Sequence, residues 1–259
     1  MEYSNIFDSH AHYDDPAFDT DREKLLSALP GRGICGAIDC GADLASSKKA
    51  ADLAENYSWI YFAAGIHPEE AHNLPADWES RLGKLLELPK AVAVGEIGLD
   101  YHSAENPPRS IQKDIFGRQI SLANRLGLPI IVHDREAHGD TVELLRKYRP
   151  RGVVHCFSGS VETAEEVLRL GMYLGLGGAV TFKNARVPVE VAKAVPADRL
   201  LLETDCPYMA PVPFRGRRND SSLIAYSAAR IAEIRGEDTQ ELINQARKNA
   251  ERLFLHGKT

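Results

Sequence analysis

The stretch "FDSHAHYDD", Phe7 to Asp15, sets His10 and His12 one residue apart among carboxylates. Residues i and i+2 of a strand share a face, so both imidazoles would converge on one point. A lone H-x-H pair is equally compatible with packed or capping histidines. Repetition is what gives it weight. The runs "AAGIHPEE", "AVGEIGLDYH", "PIIVHDRE", "GVVHCFSG" and "LLLETDCPY" end in His67, Glu96, His133, His155 and Asp205. Buried charges without partners cost too much to recur at six strand ends by accident. Four of these imidazoles with the two carboxylates already exceed the needs of one tetrahedral ion. Two divalent ions sharing a carboxylate bridge about 3.5–4 Å across would use them all, a pattern suited to hydrolysis. Glu96 is the natural bridge. Asp205 could hold one ion and also take a proton from the attacking water.

Positioning such groups requires strands whose ends meet. Short apolar runs fall near Asn5–His10, Ile34–Cys40, Ile60–Ile66, Ala91–Glu96, Pro129–His133, Gly152–His155, Met172–Leu176 and Leu200–Asp205. Helix-period segments lie between them, among them "DLASSKKAADLAENY", "RSIQKDIFGRQISLANRLG" and "VETAEEVLRLG". Asp19, Asp43 and Ser160 stand where N-caps belong, and Gly127 and Gly171 where helices stop. Strands alternating with helices imply parallel pairing, and about eight such units suit a (β/α)8 TIM barrel. Active sites of that architecture lie on the rim where the strands end. "SSLIAYSAARIAEIRG" and "DTQELINQARKNAERLFL" read as further C-terminal helices. An open doubly wound sheet is the alternative, but "GRGICG" precedes a strand rather than following one. No repeat or linker divides residues 1–259, so one domain is expected.

A formal charge of −6 argues against a broad basic surface for nucleic acid, while leaving room for a local basic rim. No run of about 18 apolar residues suggests a membrane span, and "MEYSNIFDSH" has no signal-peptide pattern. Cys35, Cys40, Cys156 and Cys206 form no C-x-x-C pair and read as reduced thiols of a cytoplasmic protein. Strand alternation should turn Cys156 and Cys206 away from the metals, and Glu203 is a candidate acceptor behind Asp205. No obligate protein partner is evident.

The pieces "DSHAH", "GIHP", "GEIGLDY", "LGLPIIVHDREA", "VVHCFSGS", "ETDCPYMAP" and "RGRRN" run in order from Asp8 to Asn219. In these the chain resembles the TatD family of metal-dependent deoxyribonucleases, within the amidohydrolase-type barrels. The resemblance implies a TIM barrel that hydrolyses phosphodiester bonds in DNA. It implies one ion on His10, His12, Glu96 and Asp205, and a second on Glu96, His133 and His155. His67, the imidazole left over, corresponds to a substrate-side histidine. Two departures stand out. Asp220, Ser221 and Ser222 replace an expected Glu-Pro after "RGRRN", and His102 follows Tyr101 where an aromatic is frequent; both are expected on loops above the metals.

Cationic side chains would orient phosphates beside the scissile one. Arg135, Lys183, Arg186, Arg215, Arg217 and Arg218 are candidates, and Tyr101, Tyr208 and Phe214 offer stacking faces. Arg135, Tyr208 and Arg215, with His67, form the preferred substrate set. The leading expectation is a nuclease acting on accessible DNA ends. Alternatives are an esterase or deacylase acting on a small substrate or aminoacyl-tRNA, and a metal-stabilised binding protein. Two divalent cations per chain are expected, with magnesium, manganese and zinc all compatible with the donors.

Overall fold

A computed structural model describes residues 3–255. Eight strands form one parallel sheet in chain order. They are β1 (Ile6–Ala11), β2 (Ile34–Cys40), β3 (Ile60–Ala64), β4 (Ala91–Asp100), β5 (Ile130–Arg135), β6 (Gly152–Val154), β7 (Tyr173–Leu176) and β8 (Leu200–Leu202). The ring closes through a parallel bridge between Ala11 and Cys206. There Asp205 N donates to His10 O at 3.0 Å and His12 N to Cys206 O at 2.8 Å. This is the expected (β/α)8 TIM barrel.

The helices after the strands are α1 (Arg22–Ala28), α2 (Leu44–Asn56), α3 (Trp78–Leu86), α4 (Arg109–Leu126), α5 (His138–Tyr148), α6 (Val161–Arg169), α7 (Arg186–Ala194) and α8 (Ile224–Arg235). The C-terminal helix α9 (Thr239–Ala250) is additional and runs into a wider turn over Glu251–Leu255. Strands covered on both sides read as near-continuous apolar runs because neither face meets water.

Asp43 and Ser46 form a capping box at the start of α2, and Ser160 caps α6. Gly127 ends α4 at φ 67°, and Gly171 follows α6 at φ 83°, a conformation that costs glycine little. Asp19 is not an N-cap. The chain first makes a 3-10 turn over Pro16–Phe18, capped by Asp15, and α1 begins only at Arg22, which pairs with Asp19 at 2.7 Å.

The floor of the barrel is a separate apolar layer. Phe7, Ile38, Ile131, Val153, Tyr173 and Leu201 meet Ala250, Leu253 and Phe254 there, so the C-terminal segment plugs the end opposite the histidines.

Candidate active site

β3, β6 and β8 stop at Ala64, Val154 and Leu202, short of the runs read from sequence. His67, His155 and Asp205 therefore sit just past the strand ends, while β4 extends beyond Glu96 to Asp100. The six groups still meet. Nε2 of His10 lies 3.0 Å from Nε2 of His12, 3.3 Å from Oε2 of Glu96 and 3.6 Å from Oδ1 of Asp205. His12 Nε2 is 3.4 Å from the same Glu96 oxygen and 3.5 Å from the same Asp205 oxygen. The other Glu96 oxygen, Oε1, faces His155 Nε2 at 2.7 Å, His133 Nδ1 at 2.8 Å and His67 Nε2 at 3.6 Å.

Two imidazoles are aimed by their outward nitrogens. His12 Nδ1 donates to the Cys40 carbonyl at 2.7 Å, which leaves the lone pair on Nε2 when the ring is neutral. His133 Nε2 donates to Asp100 Oδ2 at 3.0 Å and turns Nδ1 toward Glu96. Asp100 received no role in the sequence reading. Its signal was available: it lies four residues beyond Glu96 on one strand, hence on the same face.

Electrostatics describe a place made for positive charge. Burial and the charge of His155 push His10 down to about 4, and burial brings His67 to about 3. Burial also opposes charge on His133, yet hydrogen bonds to Asp100 and Glu96 overcome it and hold the ring up at about 10. The same contest, won by Asp205 and Glu96, raises His12 well above its ordinary value. Against their own burial, Glu96 and Asp205 are held below the usual carboxylate range by the surrounding imidazoles. Three clusters, His10–His12–Glu96, His10–His155–Asp205 and His67–Glu96–His133, have donor atoms close enough to share an ion. Imidazole plus carboxylate suits divalent ions such as zinc, manganese or magnesium, so the residues present fit.

A cavity of about 830 Å³ opens over this cluster and is lined by Asp14, Lys49, Arg135, Cys156 and Tyr208, among others. Arg135 and Tyr208 thus join the site. Arg215 does not line it; its guanidinium lies 3.8 Å from the Phe182 ring centroid. Arg218 pairs with Asp21 at 2.7 Å, Arg186 pairs with Glu190, and neither Lys183 nor Arg217 lines the cavity. Tyr101 donates to Asp140 and lies under Arg109, while Phe214 meets Tyr226 edge-on.

Cys156 lines the mouth instead of turning away, because β6 has ended and its own φ is 42°. Burial pushes its thiol up, so it carries no thiolate. Glu203 accepts from Cys156 N and lies 3.9 Å from His155 Nδ1, beyond hydrogen-bond distance. Ser221 is not on a loop above the metals. It is buried and donates to Asp8 Oδ2 at 2.6 Å, so this departure serves the β1–β8 seam.

The model of the TatD related DNase family matches residues 7–255. The chain belongs to the TatD family. The Bacillus subtilis metal-dependent hydrolase YabD is 41% identical over 252 residues, covering 96% of this chain and 98% of that protein. The 3'-5' ssDNA/RNA exonuclease TatD of Enterobacter lignolyticus is 33% identical over 257 residues, covering 96% and 98%. Among solved structures, the TatD homologue YJJV of Escherichia coli K12 superimposes with a TM-score of 0.91 at 33% identity, covering 97% and 98%. This TatD-family chain is a metal-dependent hydrolase acting on ester bonds. Among the described residues no helix is long and apolar enough to cross a membrane.

Proposed function

We propose that this TatD-family hydrolase cleaves phosphodiester bonds of DNA at accessible ends, using two divalent cations. The observation that carries the reading is the division of Glu96. One of its oxygens faces His10 and His12, and the other faces His133 and His155. His10, His12, Glu96 and Asp205 would hold one ion, and Glu96, His133 and His155 the other. Bound there, divalent cations supply Lewis acidity toward a phosphoryl oxygen and toward water.

The remaining steps belong to side chains. Asp205 is kept ionised by its histidine neighbours and is 20% exposed, so its carboxylate is free to take the proton of the attacking water. His67 Nδ1 accepts from Glu69 N at 3.3 Å. Its neutral ring therefore carries the proton on Nε2, on the side facing Glu96, and offers it to a phosphoryl or leaving oxygen. Tyr208 is 57% exposed at the cavity edge, with its hydroxyl donating to Asp15 at 2.9 Å, which leaves a ring face for a terminal base. Arg135 meets a neighbouring phosphate. Support for nucleic acid as substrate comes from relatives named 3'-5' ssDNA/RNA exonucleases.

Digestion of end-labelled single- and double-stranded DNA with added magnesium or manganese tests this. Asp205→Ala and His67→Ala are each expected to lower kcat by about 10²–10⁴-fold, the usual loss for a proton-transfer group. Equal rates in the parent and both variants would move the chemistry elsewhere.

A further inference from the structure

The walls of the cavity are acidic. Asp14, Asp15, Asp43, Glu69 and Asp134 line it beyond the cluster itself. Only two lining residues are permanent cations, Lys49 and Arg135. Both are exposed, and neither makes an ion pair among the described residues, whereas the adjacent Lys48 is taken up by Asp52. Other cations named as phosphate candidates are stacked, paired or outside the lining.

Placement gives the two residues a common purpose. Lys49 stands in the second turn of α2, which follows β2, and Arg135 ends β5. β2 and β5 lie three positions apart in a ring of eight, so the two cations face the cluster from different sides.

We propose that Lys49 and Arg135 hold two phosphates of the strand neighbouring the scissile one, and that the protein's grip on the strand ends there. This rests on the nuclease reading and adds Lys49 as a substrate contact. Asp14, Asp15, Asp43, Glu69 and Asp134 share the lining, so the cavity offers no third permanent cation to a longer run of phosphates. The footprint is small because the site has nowhere else to put negative charge.

Salt dependence reads the number of contacts directly. For single strands each phosphate contact contributes a slope of about −0.7 in log affinity against log salt. Cleavage of a single-stranded oligodeoxynucleotide is followed as NaCl is raised at fixed manganese. The parent should show a slope near about −1.4 in kcat/KM, two contacts' worth. Lys49→Gln and Arg135→Gln should each flatten it by about 0.7, with the loss in KM rather than kcat. Lys193→Gln, in the last turn of α7, should leave the slope unchanged. A parental slope steeper than about −3, the signature of a long electrostatic track, overturns the proposal, as does an unaltered slope in Lys49→Gln. If the oligonucleotide is cleaved and Lys49→Gln behaves as parent, only this inference falls. If the parent cleaves no oligonucleotide, the nuclease reading falls and takes it along.

Discussion

A histidine holds a cation with one nitrogen and is aimed by the other. His12 is aimed by a backbone carbonyl, which no substitution removes, but His133 depends on the Asp100 carboxylate. Asp100 is itself fixed, accepting from His102 N and Asn106 Nδ2, both at 2.9 Å. Asp100→Asn keeps the shape and removes the charge. On the proposed two-cation reading it should weaken binding at the His133 position by about 10–100-fold and leave the His10–His12 position unchanged. Calorimetric titration with manganese checks this, and two unchanged binding steps would dismiss Asp100 as a mere scaffold. A second residue-scale effect lies outside the metal donors. His138 Nδ1 faces Asp134 Oδ2 at 2.8 Å, and that hydrogen bond outweighs partial burial and raises its pKa above the usual 6.5. The native state then retains a proton that the unfolded chain releases. The stabilisation is complete below pH 6.5 and is lost as pH rises through the elevated folded value. Melting curves of parent and His138→Gln should therefore converge from mildly acidic to alkaline pH; a constant gap would contradict the assignment.

At the scale of elements, simple alternation explains some strands and fails for others. Ile131 in the floor leads to His133 above it, and Val153 leads to His155, each two residues on. For β1 the same rule starting from Phe7 would aim Ser9 and Ala11 inward. The β1–β2 register shifts between Asp8 and Ala11, and this turns His10 and His12 to the axis. β4 likewise shifts against β5 between Val94 and Ile97, around Glu96. The pairing of His10 with His12 was thus legible from spacing, but the shift that makes it point inward was not, since a bulge has no residue signature of its own here. α7 is rich in valine and carries Pro188, which is tolerated because it falls in the first turn. Gly98 marks where β4 must come close. Its φ is 149°, and a Cβ there would lie 1.9 Å from the His133 carbonyl oxygen, which is backbone and has no room to give. Gly98→Ala should cost at least about 1–3 kcal/mol and displace His133 together with the strand pair. A paired loss of melting temperature and manganese affinity is expected, whereas loss of stability with intact affinity would separate His133 from this contact.

Across the whole molecule, stability and chemistry occupy opposite ends of one barrel. The mouth concentrates ionisable groups whose burial opposes folding, and the floor is the apolar layer of Phe7, Ile38, Ile131, Val153 and Leu201. Sequence periodicity showed that C-terminal helices exist. It did not show where they dock, because an amphipathic stripe specifies a buried face without specifying the partner. The structure sets Leu253 and Phe254 against the floor, with Phe254 only 2% exposed. Phe254→Ala leaves a cavity beneath the strands, at a cost of about 3–5 kcal/mol. The missing ring is at the end of the barrel away from Glu96, so the ion-binding clusters keep their geometry as long as the chain is folded. Chemical denaturation of Phe254→Ala should show that loss of stability, while manganese affinity under native conditions matches the parent. Were affinity to fall in step with stability, floor and mouth would be coupled through the strands, and the separation of the two ends would be wrong.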